Sequence, residues 1–182
     1  MQIQVENYLI KPMHEIKAEL WLKFHQENRY YVDHFSTTKF SDYYTLAVQQ
    51  KFIIQSVIDF ERDEGYAFGV LTANGKRILA KVKSTRDPNR NHNYLNLRIV
   101  VDHRHRTPEF GRLILPSLVD YFFRNRKIHI LYMPVLPHDS YMIQLLSDYG
   151  FIFEGRLHKI MHINGSWQDH LLYALINKDD DL

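Results

Sequence analysis

Apolar and polar positions along this chain change period several times, and each change predicts an element. Ile3, Val5, Tyr8 and Ile10 are the apolar members of a run that reads as a first strand over residues 2–11. Ile16, Leu20 and Phe24 then recur at a spacing of four, which lays them on one helical face over residues 15–27. Leu46, Phe52, Ile53 and Val57 predict a second helix over 44–63, with Gly65 as its stop. The apolar runs 66–71 and 77–83 flank Asn74-Gly75, a dipeptide preferred in type I′ turns, so they predict a hairpin. A polar loop with Pro88 over 87–93 leads into a strand over 94–101.

The second half alternates between the two periods. It predicts a helix over 113–126, a strand over 128–133, and a helix over 140–149 ended by Gly150, a favourable C′ residue. Strands over 151–163 and 166–176 follow, joined by Asn164-Gly165. A strand–helix–strand–helix–strand series after an antiparallel meander argues for an α/β (α+β) mixed sheet with helices on its faces. Pro116 stands out, because it breaks the hydrogen-bond ladder unless its helix begins late. No repeat, linker or low-complexity stretch divides the chain, so one domain over 1–182 is expected.

Composition narrows the function classes. The net charge of +2 gives no ground for a DNA partner. With no cysteine, the chain has no disulfide, thiolate nucleophile or cysteine zinc site. Its start lacks a signal-peptide pattern, and no apolar run approaches the roughly 18 residues that span a membrane. The reading is therefore cytoplasmic. Aromatic residues make up 14%, with 12 tyrosines, which suits either a packed core with hydroxyls at its margin or an aromatic-lined cleft. The 11 histidines are scattered, with His103 and His105 the one pair at i, i+2, so no metal is expected.

The C-terminal third carries a more specific pattern. Gly150-Phe151, Glu154-Gly155, then Ile163-Asn164-Gly165-Ser166-Trp167-Gln168-Asp169-His170 and a closing Tyr173-Ala174-Leu175 keep a distinctive spacing. It is similar to the signature of the ribosomal-protein N-terminal branch of the Gcn5-related N-acetyltransferases (GNAT). Glu27-Asn28-Arg29-Tyr30-Tyr31 resembles that branch's E-N-R-x-F/Y before the acceptor loop. The resemblance implies the GNAT fold, a mostly antiparallel sheet of about seven strands with about four helices. It implies acetyl transfer from acetyl-CoA, as co-substrate, to a primary amine on a protein N-terminus or a small molecule. A homodimer stays open.

The resemblance also assigns sites. Ile99, Val100 and Val101 would border a V between two splayed strands and bind the pantetheine arm. The pyrophosphate loop, Q/R-x-x-G-x-G/A in the family, aligns with Arg106-Thr107-Pro108-Glu109-Phe110-Gly111, followed by Arg112. Arg106 and Gly111 match, but Glu109 replaces a glycine and must turn away or be neutralised by Arg104 or Arg112, while Pro108 removes an N–H donor. The family's N-x-x-S aligns with Asp139 and Met142, and methionine cannot protonate a leaving thiolate. Asp139, near the pantetheine, then serves as base or helix cap, and the acid must come from elsewhere, such as Tyr141 or a water. The family's frequent strand glutamate falls at Tyr94. Tyr30, Tyr31 and Phe35 would line the acceptor. Trp167, Asp169 and His170 would close that side, with Trp167 substantially buried on the sheet. A catalytically degenerate binding module that lost the pyrophosphate loop is the alternative.

Overall fold

The N-terminal alternating run folds back on itself. In a computed structural model, which describes residues 2–35, 39–89 and 92–181 and only the backbone of Phe35, Asp180 and Asp181, it forms two strands. These are β1 (Ile3–Val5) and β2 (Tyr8–Pro12), antiparallel with Val5 opposite Tyr8. Glu6 takes a left-handed φ of 46°, and that turn splits a stretch whose side-chain period looks continuous.

The remaining elements follow the predicted order. After a short 3₁₀ turn, α1 (Ala18–Glu27) buries Trp21 and Phe24. Only Asn28 separates it from α2 (Arg29–Phe35), a helix where an acceptor loop was expected. Next come α3 (Leu46–Glu61), the hairpin of β3 (Gly65–Thr72) and β4 (Ile78–Arg86), and β5 (Tyr94–Val101). The second half holds α4 (Pro108–Asp120), which runs on as a π-helical turn, then β6 (Ile130–Val135) and α5 (Ser140–Tyr149). It closes with the hairpin of β7 (Ile152–Ile163) and β8 (Ser166–Ile176). Eight strands and five helices among the described residues thus come close to the expected seven and four, and the β1 turn and α2 account for the difference.

One sheet contains all the strands, in the order β1-β2-β3-β4-β5-β6-β8-β7. Every neighbouring pair is antiparallel except β5 with β6. Leu95, Leu97 and Val101 pack with Ile114, Leu118 and Leu146 on the α4–α5 face. Trp21, Phe24, Ala67 and Val100 pack on the opposite face, against α1 and α3. The helix with Pro116 begins early, not late. Pro116 is on its exposed side, so the Arg112 carbonyl that loses its donor can meet water. No helix of the described residues is long and apolar enough to cross a membrane.

Candidate active site

β5 pairs with β6 only at its start, where Tyr94, Leu95 and Asn96 lie opposite Ile130, Leu131 and Tyr132. Beyond that point β6 stays with β8 and β5 stays with β4. Residues 97–101 therefore have a ladder on one side and open backbone groups on the other. A narrow slot results, lined by Ile99, Val100, Met133, Val135, Met142 and His170 among others. This is the V expected beside residues 99–101.

The turn ahead of α4 closes one end of the slot. Thr107 caps the helix, its hydroxyl accepting from the Phe110 N–H at 3.3 Å. Pro108 occupies the first helical turn, where a missing N–H costs little, so its expected penalty is small. Glu109 is not turned away from the N–H groups. Its exposed carboxylate accepts from its own N–H and from the Thr107 hydroxyl, which holds its pKa below the usual value. Of the two proposed neutralisers, Arg112 does act on it as a nearby positive charge, though both arginines are paired with other carboxylates. Arg104 pairs with Glu27 at 2.6 Å and Asp102 at 2.9 Å, and Arg112 with Asp148 at 3.1 Å. Arg106 pairs with Asp139.

Gly111 and Phe110 serve packing more than phosphate approach. A Cβ on Gly111 would come within 2.6 Å of Leu145 Cδ1, so its bareness seats α5 against α4. Phe110 is buried with its ring edge-on to Tyr8 at 5.2 Å.

Asp139 caps α5 by accepting the Met142 N–H at 3.1 Å. Next to it, the Tyr141 hydroxyl donates to the Thr107 carbonyl at 3.3 Å, and the Arg106 guanidinium lies 4.7 Å over its ring. Burial pushes the Tyr141 pKa up to about 12, so the phenol keeps its proton at neutral pH. Tyr94 lies elsewhere. It sits at the closed end of the V, donates to Asp87 and meets the Tyr132 ring at 5.1 Å. The Asp87 bond raises its pKa, which suits a structural phenol and not a base.

On the acceptor side, Tyr31 lines the slot and stacks on His103 at 5.8 Å. Tyr30 is 63% exposed and stacks on His34. Phe35 ends α2, and its side chain lies outside the described residues. The burial expected of Trp167 is overturned: it is 61% exposed. The tip of the β7–β8 hairpin carries no covering layer, so Trp167 meets only the edge of the His162 ring, 5.5 Å away. Asp169 does bind, to Arg156 and the Lys159 N–H at 2.8 Å each. His170 is buried beside the slot, where burial lowers its pKa and a hydrogen bond with the Gln168 backbone opposes that shift.

The Glu27-Asn28 motif has a structural use that the sequence did not reveal. Asn28 donates to the buried Asp102 carboxylate at 3.1 Å, and its side-chain oxygen accepts the His103 N–H at 3.0 Å. Arg77 and Arg104 each bridge Glu27 and Asp102. The corner between α1 and α2 is thereby fastened to the end of β5, where the slot opens.

A larger cavity, of about 310 Å³, lies on the other face of β4 and β5, toward α1 and α3. Arg98 and Val100 line both spaces, so the two adjoin. Its lining includes Lys39, Lys81, Lys83 and His25, none of which the sequence pattern singled out. Among the described residues no group of three or more histidine and acidic side chains is arranged to hold a metal ion.

Comparisons with known proteins agree with this geometry. Residues 13–172 match the acetyltransferase (GNAT) domain family. The chain is 30% identical to the probable N-acetyltransferase YjcK of Bacillus subtilis, over 94% of this chain and 95% of that one. The crystal structure of a ribosomal-protein-S5-alanine acetyltransferase from Vibrio fischeri superposes with a TM-score of 0.89, covering 98% of both chains at 20% identity. A spermidine N-acetyltransferase from Vibrio cholerae, in complex with CoA and spermine, gives 0.75 at 18% identity, covering 93% of this chain and 95% of that one.

Proposed function

The chain belongs to the acetyltransferase (GNAT) family, and from that premise we propose that it moves an acetyl group from acetyl-CoA to a primary amine. The observation that supports this most is the open backbone of residues 97–101 beside β6. Those groups, between walls of Met133, Val135 and Met142, fit the amides and apolar links of a pantetheine arm. The first N–H groups of α4 lie where a pyrophosphate would go. When bound, acetyl-CoA supplies an activated acetyl thioester.

This chain's residues then have definable tasks. The slot orients the amine against the thioester carbon, and much of the acceleration comes from that proximity. As the N–C bond forms and the C–S bond breaks, the amine must lose a proton. His170, held neutral by burial at the slot wall, is the residue we assign to take it. Tyr141, protonated at neutral pH, is the available donor, since Met142 has no proton to give.

One observation favours a second reading, a binding module without turnover. Glu109 puts a carboxylate on its own N–H at the helix start that a pyrophosphate would approach, and Arg104, Arg106 and Arg112 are all engaged with carboxylates. The two readings separate in a thiol-release assay with acetyl-CoA and a panel of primary amines. Acetyl transfer is expected, falling roughly 10²-fold or more in His170→Gln. Thiol release with no amine in the panel, matched by a lack of CoA binding, leaves the binding module as the better reading.

A further inference from the structure

The cavity beyond Arg98 has a charge pattern that the core reaction does not use. Lys81 and Lys83 alternate along β4 and so share one face. Across the ladder Lys83 stands directly opposite Arg98, and Lys81 opposite Val100. Like charges directly opposed on neighbouring strands destabilise a sheet unless something neutralises them. No described carboxylate does so: Lys83 and Arg98 make no ion pair, and Lys81 donates only to the His25 ring, at 3.2 Å.

The opposite wall adds Lys39, 5.2 Å from the centre of the Tyr43 ring. The one carboxylate in the lining, Asp59 on α3, is held by the Gln55 amide at 2.7 Å. Four cations therefore converge on a space lined by one acidic side chain, with Asp33 of α2 acting on Lys39 from nearby. Burial and this mutual repulsion depress the pKa of Lys81 to about 7 and of Lys39 to about 8. Water screens the exposed Lys83 and Arg98, so the cost of the empty cavity falls mainly on the more buried Lys81, and an anion would relieve it.

We infer that this cavity receives an anionic group of the acceptor, so that the substrate is a primary amine carrying a carboxylate or phosphate and not a polyamine. The inference rests on the acetyltransferase reading and names the acceptor class for it. Arg98 and Val100 border both spaces, so an anion held by Lys83 and Arg98 leaves an attached amine within reach of the slot. A volume of about 310 Å³ admits an acidic amino-acid unit or a phosphorylated small amine. A polyamine would bring further positive charge to Lys39, Lys81, Lys83 and Arg98.

The test measures kcat/KM at saturating acetyl-CoA for four amines: the tripeptide Ala-Glu-Glu, amidated Ala-Gln-Gln, O-phosphoethanolamine and spermidine. Wild type and Lys83→Glu are compared. Lys83 is exposed and unpaired, so the variant should fold, and unchanged coenzyme A binding by calorimetry verifies that. Wild type should prefer one of the anionic amines over both others by tenfold or more, and the anionic amine preferred identifies carboxylate or phosphate as the group. Lys83→Glu should lower kcat/KM for it at least tenfold, mainly through KM, and raise that for spermidine. A wild type that turns over spermidine or the neutral peptide best overturns the inference alone, as does a preference unmoved in Lys83→Glu. Absence of both turnover and coenzyme A binding overturns the acetyltransferase reading, and the inference with it.

Discussion

Arg106, in the turn ahead of α4, donates to the Asp139 carboxylate that caps α5, so one ion pair ties together the starts of the two helices beside the slot. Both side chains are largely buried, at 15% and 8% exposure. Asp139→Ala removes the pair and the cap together and should cost about 3 kcal/mol, because a largely buried guanidinium loses its carboxylate while α5 loses its cap. Asp139→Asn keeps an acceptor for the Met142 N–H and should cost about 1 kcal/mol less. It also takes away the negative charge that Arg106 faces, so its coenzyme A affinity should rise. Denaturant unfolding and calorimetry measure the two effects, and equal losses in both variants would mean the cap contributes nothing.

In the proposed cofactor site, Glu109 would compete with a pyrophosphate for the helix N-terminus of α4. Glu109→Gly removes the charge and restores the residue that the family loop carries there. Solvent screens an exposed carboxylate, so the gain in coenzyme A affinity should be roughly tenfold and should shrink with added salt. Titrations at low and high ionic strength check both halves. An affinity unchanged at low salt would show that the carboxylate moves aside without cost.

Lys81 links the cationic cavity to pH. Its pKa is about 7 in the folded chain and about 10.4 unfolded, and Lys39 moves the same way, to about 8. Between pH 7 and 9.5 the unfolded state binds more protons, so stability should rise with pH across that window. The groups facing Lys81 fit this sign: His25 is held neutral by burial, Lys39 is lowered in the same direction, Lys83 and Arg98 line the same cavity, and Asp59 accepts from Gln55. Over the same window the cavity loses positive charge, so KM for an anionic acceptor should rise. Lys81→Met should flatten the rise in melting temperature, and an equally steep rise in that variant would assign the effect to other groups.

Much of the fold was legible because its elements have strong periods and plain stops. Asn74-Gly75, Asn164-Gly165 and Gly150 mark turns whose backbone demands are local, and Gly150 indeed takes φ of 104°. The β1–β2 turn was hidden because Glu6 carries no turn signature while the alternation runs through it. Site residues were harder to read, since contacts between distant segments decide them. The Tyr94 position depends on where β5 and β6 part, and the Trp167 exposure on whether anything covers a hairpin tip. The Lys83–Arg98 pairing depends on strand register, which no single segment displays.

The central claim is that residues 97–101 form one wall of a coenzyme A slot. Hydrogen exchange of the intact protein, with and without coenzyme A, tests this directly by mass spectrometry. Coenzyme A should slow exchange in peptides covering residues 97–101 and 107–111, and leave those at the β1–β2 turn unchanged. Saturating coenzyme A that protects neither segment, or protects only surfaces away from the β5–β6 opening, would contradict the account.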